Sequence, residues 1–111
     1  MSTRANIVLK DGKEKLTFYK HSDGYPEGTM PILEDFINMM KNKAIRDNLP
    51  QSAGWLIELG RRDLLNTFNG KIPDLYHWKV GSIEPTTGIH GDIEYLYTID
   101  LVKKTIKVKK V

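Results

Sequence analysis

Two polar blocks with one spacing recur in this chain, His21-Ser22-Asp23-Gly24 and His90-Gly91-Asp92. On an extended backbone a histidine and a carboxylate two positions apart point the same way, because side chains alternate with period 2. If the two blocks meet in the fold, they make one polar site. Arg4 adds a planar guanidinium fork suited to phosphate or carboxylate, and Tyr19 and Tyr95 add aromatic rings for stacking. Together, Arg4, Tyr19, His21, Asp23, His90, Asp92 and Tyr95 read as the lining of a small-ligand pocket. A second reading needs no ligand: aspartates beside glycines commonly build turns, and each block then only organises its own loop.

Two histidines with Asp23, Asp92 and Glu94 also suit zinc, manganese or iron in ligand type. There is no HExxH and no cysteine, however, so no metal ligands and no cofactor are assigned. Ser22 beside His21 lacks the GxSxG setting of a nucleophile elbow, and no catalytic residue is assigned. The glycines fit neither GxGxxG nor GxxxxGK[ST]. A bound nucleotide would therefore be held by side chains and loop amides.

The elements that must position these groups follow from periodicity. Ala5 to Lys10 alternates as a strand, Asp11-Gly12 supplies a turn, and Lys15 to His21 returns, with Thr17, Tyr19 and His21 on one face and Leu16 and Phe18 on the other. HSDGYPEG then breaks regular structure. A helix is expected from near Thr29, with Pro31 in its first turn and a stripe of Ile32, Leu33, Phe36, Ile37, Met40 and Ala44, ending at Asn48-Leu49-Pro50. Ser52 caps a second helix carrying Trp55, Leu56, Leu59 and Phe68, which closes at Asn69-Gly70. Gly60 in its middle leaves GWLIEL open to a short-strand reading. Strands are expected over Tyr76 to Ile83, Ile93 to Asp100 and Thr105 to Val111, with Ile93, Tyr95, Tyr97 and Ile99 sharing a face. Trp55 and Trp78 read as core or pocket walls. The order β-β-α-α-β-β-β implies an α+β fold: a mostly antiparallel sheet of about five strands with two helices packed on one face.

At 111 residues the chain fits one domain, 1–111, able to bury roughly 65% of its unfolded surface. No apolar run approaches the roughly 20 residues of a membrane helix, and the N-terminus lacks a secretory signal, so no membrane association and a cytoplasmic location are expected. The net charge of +3 is misleading about partners. Five lysines fall in the last nine residues; without them, twelve cations face fourteen anions. A lysine-rich terminal strand protects a sheet edge more often than it binds phosphates, which argues against nucleic acid as a partner.

MSTRANI, FYKHSDGYPEG and EPTTGIHGDIEYLYTI together resemble a group of short, mostly uncharacterised proteins of bacteriophages, prophages and bacteria. The likeness covers most of the chain and points to Arg4, His21, Asp23, Gly24, Tyr25, Pro26, His90, Gly91 and Asp92. It implies a phage-type accessory protein acting in the host cytoplasm, and small phage proteins of this kind often act by binding. The leading expectation is a non-enzymatic binder of a small polar, nucleotide-derived ligand, sequestering a host defence signal. Tyr19, Tyr25 and Tyr95 would stack on a base, Arg4 and a loop amide would hold phosphate, and His21 and His90 would fix oxygens. Asp23, Glu27, Asp92 and Glu94 oppose a phosphate unless they bond ribose hydroxyls or orient the histidines. Such binders often assemble as homo-oligomers. Two other readings stay open: an inhibitor that binds a host defence protein directly, and a metal-dependent phosphoester hydrolase.

Overall fold

A computed structural model describes residues 3–111; Met1 and Ser2 of the MSTRANI opening lie outside the described residues. Five strands, β1 (Ala5–Asp11), β2 (Glu14–Lys20), β3 (Ile83–Thr86), β4 (Tyr95–Asp100) and β5 (Thr105–Lys110), form one sheet in the order β3-β2-β1-β4-β5. Two helices, α1 (Pro26–Lys41) and α2 (Leu49–Thr67), join its halves. Every pairing is antiparallel except β1 with β4, which run parallel because the chain crosses over through both helices between them. The architecture is the expected α+β one, with the lysine-rich β5 at an edge.

Register decides which side chains go where. Ala5, Lys20, Ile83, Tyr95 and Lys110 lie in one row across the sheet, and Asn6, Tyr19, Glu84, Leu96 and Lys109 in the next, on the opposite face. Ala5, Ile7, Leu9, Phe18, Tyr97 and Ile99 of the first face join Leu33, Phe36 and Met40 of α1 and Leu56 and Leu59 of α2 in one hydrophobic cluster. A fully buried leucine or phenylalanine there contributes roughly 1.5–3 kcal/mol, so this face and the two helical stripes carry most of the stability. Among the described residues no helix is long and apolar enough to cross a membrane.

Several element boundaries differ from expectation. Helix α1 starts at Pro26, whose fixed φ and missing N–H suit a first helical position, and Pro31 falls inside it on an exposed side. The helix stops at Lys41 because Lys43 takes a left-handed φ of 59° and the Ala44 N–H returns to the Met39 carbonyl at 2.9 Å. That is the helix-ending turn usually built on glycine, and it leaves Ala44 exposed and out of the buried stripe. Asn48, not Ser52, caps α2, its side chain accepting from the Gln51 N–H; Ser52 is buried and bonds the Arg46 carbonyl. The Tyr76–Ile83 strand is absent. Asp74–Tyr76 is a 3-10 turn followed by an irregular run, Trp78 is exposed with its indole N–H on the Leu75 carbonyl, and the strand begins only at Ile83.

Tyr97 is fully buried and donates to the Gly24 carbonyl at 2.7 Å, and burial pushes its hydroxyl up to about 12. The neutral phenol is thus favoured in the folded chain. Stability is fully present below pH 10 and declines as pH rises through the window from 10.0 to about 12. The expected loss across that window is on the order of 2–3 kcal/mol. Tyr97→Phe should flatten most of this decline in urea titrations repeated at rising pH; an unchanged alkaline slope would contradict it.

Candidate functional site

The segment that leaves β2 is built before it is functional. Gly24 is buried at the end of the sheet: its N–H donates to the Thr3 carbonyl at 2.9 Å, and a Cβ there would lie 2.9 Å from Ala5 Cβ and 3.0 Å from the Arg4 carbonyl carbon. Only glycine fits this approach. Asp23 takes a left-handed φ of 53°, and its carbonyl accepts from the Thr29 hydroxyl at 2.7 Å, tying the turn to the first turn of α1. Tyr25 is the extended residue that precedes α1 and is exposed.

The connection from β3 to β4, residues 87–94, folds as a strap across the sheet face away from the core cluster. Its central contact is the His90 ring on the Tyr19 ring, with centroids 3.8 Å apart and planes at 16°. The Thr86 hydroxyl and His90 Nε2 share a hydrogen bond of 2.8 Å, and the His90 N–H donates to Asn6 Oδ1 at 2.8 Å. Asp92 accepts from the Tyr19 hydroxyl at 2.9 Å and pairs with Arg4 at 2.8 Å. Its carboxyl is held below the usual range, first by the Tyr19 hydroxyl and then by Arg4; burial and the same carboxylate raise the Tyr19 hydroxyl. On the other side of Tyr19, the His21 ring sits edge-on at 4.5 Å and its Nε2 pairs with Glu84. The two His-x-Asp blocks therefore do meet, through Tyr19.

Asn6 anchors this arrangement. It is fully buried, with Nδ2 donating to the Phe18 carbonyl at 2.8 Å and Oδ1 accepting from the strap. Asn6→Leu would leave the His90 N–H and the Phe18 carbonyl without these partners, an expected cost of about 2–4 kcal/mol. Urea denaturation measures the loss, and the ring-current shifts that the His90 stack imposes on Tyr19 should collapse with it. A loss under roughly 0.5 kcal/mol would show that the strap is not held this way.

Beside the strap lies a cleft of about 250 Å³, lined by Arg4 just before β1, by His21, Ser22 and Asp23 just after β2, by Asp63, Leu64 and Thr67 of α2 with Phe68 at its C-terminal cap, and by Tyr76, Lys79 and Ser82. The 79–82 run is pinned to α2: Arg61 donates to the Lys79 carbonyl at 3.3 Å, and the Ser82 N–H donates to the Gly60 carbonyl at 3.0 Å. Phe68 and Tyr76 stack at 5.6 Å, and the Lys79 ammonium lies 5.5 Å from the Tyr76 ring centre. Behind the wall, Lys20 is fully buried. Its ammonium donates to the Ser22 carbonyl at 2.7 Å and lies 3.6 Å from Asp63. Burial lowers its affinity for the proton and the Asp63 carboxylate opposes that.

The sequence-derived constellation thus divides. Arg4, His21 and Asp23 line the cleft; Tyr19, His90 and Asp92 form the strap network; Gly24 and Tyr25 shape the exit from β2. Two stacking roles need correction. Tyr19 is 3% exposed, with one ring face under His90, so it offers no face to a base. Tyr95 pairs with Ala5 and packs against the core cluster, on the sheet face opposite Tyr19. Nor do the blocks converge as metal donors: His21 faces Glu84, His90 faces Thr86, and Asp92 faces Arg4 and Tyr19. Among the described residues no group of three or more His, Asp or Glu is placed to hold a metal ion.

The cleft's far wall, Asp63, Phe68, Tyr76 and Lys79, was not assigned to a site from sequence. One signal for part of it existed: Lys20 follows Leu16 and Phe18 at period 2, a lysine in a core-facing position that requires a carboxylate partner. Compared with known proteins, the chain matches no family model, and neither a curated protein nor a solved structure gives a significant match.

Proposed function

We propose that the chain binds a small polar, phosphate-bearing molecule of the nucleotide class in the cleft between the end of β2 and α2, and returns it unchanged. The observation that carries this reading is the convergence, around about 250 Å³, of Arg4, His21 and Lys79 with the aromatic pair Phe68 and Tyr76. The Arg4 and Lys79 cations supply phosphate contacts, His21 supplies a ring N–H, and the aromatic edges and faces supply a wall for a base.

Charge, the main objection at sequence level, is partly answered by pairing. Asp92 is engaged by Arg4 and Tyr19, and Asp63 faces the buried Lys20, which leaves Asp23 as the carboxylate suited to bond ribose hydroxyls. At about 250 Å³ the cleft is just smaller than the roughly 300–1,000 Å³ common for ligand pockets, which limits it to a ligand of mononucleotide size or less. A larger one would need a wall from a second copy of the chain, consistent with a homo-oligomer. In a phage-type protein acting in the host cytoplasm, such binding would sequester a host defence signal.

Incubation with a panel of linear and cyclic nucleotides, followed by removal of unbound material, heat release and chromatography, tests this reading. Recovery of one intact nucleotide is expected. Recovery of a degraded product would favour a phosphoester hydrolase, and recovery of none, from a protein that co-purifies with a host polypeptide, would favour direct inhibition of a host protein.

A further inference from the structure

The far end of the molecule, away from the cleft, carries a second hollow of different character. Because β1 and β4 run parallel and α1 returns along the sheet, the β1–β2, α1–α2 and β4–β5 turns gather at one end. Two contacts tie them together: the Leu101 N–H donates to the Lys10 carbonyl at 2.9 Å, and Lys104 pairs with Asp47 at 2.9 Å. Between the α1–α2 turn and Lys104 lies a hollow of about 580 Å³ with Met40, Ala44 and Ile45 in its apolar floor and Lys41, Lys43 and Arg46 at its rim.

The charge there is unbalanced. Among the described residues, Asp47 is the acid lining this hollow, and Lys104 already holds it, keeping its carboxyl below the usual range. The neighbouring Asp100 carboxylate is spent on the Val102 and Lys103 N–H groups, at 3.0 Å each. The partial negative charge at the end of α1 is about half an elementary charge and does not offset three rim cations. A partner complementary to this rim would bring carboxylates or phosphates.

The floor discriminates between those two. A phosphate backbone gains nothing from Met40, Ala44 and Ile45, and the lining has no aromatic ring on which an unpaired base could stack. An apolar side chain flanked by carboxylates satisfies both floor and rim. We infer that this hollow is a docking site for an acidic peptide segment of a protein partner, one that seats a leucine- or phenylalanine-sized side chain on the floor and pairs its carboxylates with Lys41, Lys43 and Arg46. This site is separate from the cleft, and its occupancy does not depend on the nucleotide reading.

A labelled short peptide with a central Leu-Phe pair flanked by aspartates and glutamates is the probe, followed by fluorescence anisotropy at low and high salt. Two controls accompany it: the same peptide with both apolar residues replaced by serine, and a short DNA duplex. The Leu-Phe peptide should bind, weaken with salt, and exceed the serine peptide by roughly tenfold. K41E/K43E/R46E should lose at least roughly tenfold, with Arg46→Glu alone losing part of it, while the cleft variant R4A/K79A binds unchanged. These rim residues are exposed, and the melting curve of each variant checks that it folds. Absence of binding by the Leu-Phe peptide, equal binding of the serine peptide, tighter binding of the duplex, or indifference to the rim reversals would each overturn the inference.

Discussion

Replacing Gly81 with alanine is expected to destabilise the chain by about 2–3 kcal/mol, more than most single substitutions, and to deform the cleft at the same time. A Cβ at Gly81 would lie 2.6 Å from the Arg61 nitrogen and 2.7 Å from the Gly60 carbonyl carbon, so helix backbone, not a flexible side chain, would have to move. Gly60 faces the reciprocal problem, its Cβ falling 2.9 Å from both Cβ and nitrogen of Ile83. Glycine to alanine inside a helix ordinarily stabilises by about 1 kcal/mol; here the sign reverses because α2 and the approach to β3 touch backbone to backbone. Gly60→Ala and Gly81→Ala both strain the same close approach, so their effects should not add. Thermal melts should show a fall of roughly 10–15 °C for Gly81→Ala. A change of under roughly 2 °C would mean that the two segments are not held this closely.

The second large effect is expected at the cleft. Truncating Lys79 removes a cation over Tyr76, and truncating Arg4 removes one that also holds Asp92. Each should weaken the retained nucleotide by roughly tenfold, and R4A/K79A by roughly a hundredfold if the two contact separate oxygens. Titration calorimetry separates the two contributions. Arg4→Ala should also loosen the strap, because Asp92 keeps only the Tyr19 hydroxyl; Lys79→Ala should leave the strap unchanged. Equal affinity in wild type and double variant would remove these cations from the site.

What could be read from the chain follows a physical division. Strands β1, β2, β4 and β5 announce themselves by period-2 alternation, and β5 by lysines at an edge, because these signals are local. Strand β3 does not: Pro85 in Ile83–Thr86 argues against a strand unless it lies at an edge, where a missing N–H costs nothing, and that is where it lies. The alternation of Tyr76, Trp78 and Val80 mimics a strand, yet this run is irregular and part of it is held to α2 by Arg61. The end of α1 carries no glycine, because Lys43 accepts the left-handed turn that glycine would normally take.

The site divides in the same way. The shared spacing of the His21 and His90 blocks suggests a common site but not that they meet; Tyr19 and Asn6, which bring them together, each depend on a partner more than seventy residues away. Tyr95 carries a sequence signal against a pocket role: it shares parity with Ile93, Tyr97 and Ile99, opposite the more polar Glu94, Thr98 and Asp100, and the burial of Tyr97 and Ile99 identifies that parity as the core face. Asp63, Phe68, Tyr76 and Lys79 belong to no local motif and enter the cleft only through the packing of α2 against the approach to β3.

An amide-resolved NMR titration with the nucleotide recovered from heat release bears most directly on the cleft as the binding site. The account predicts saturating shifts at Ser22, Asp23, Lys79 and Ser82, from both walls at once, with the 41–47 turn unmoved. Shifts confined to that turn or to β5, or none at millimolar nucleotide, would contradict it.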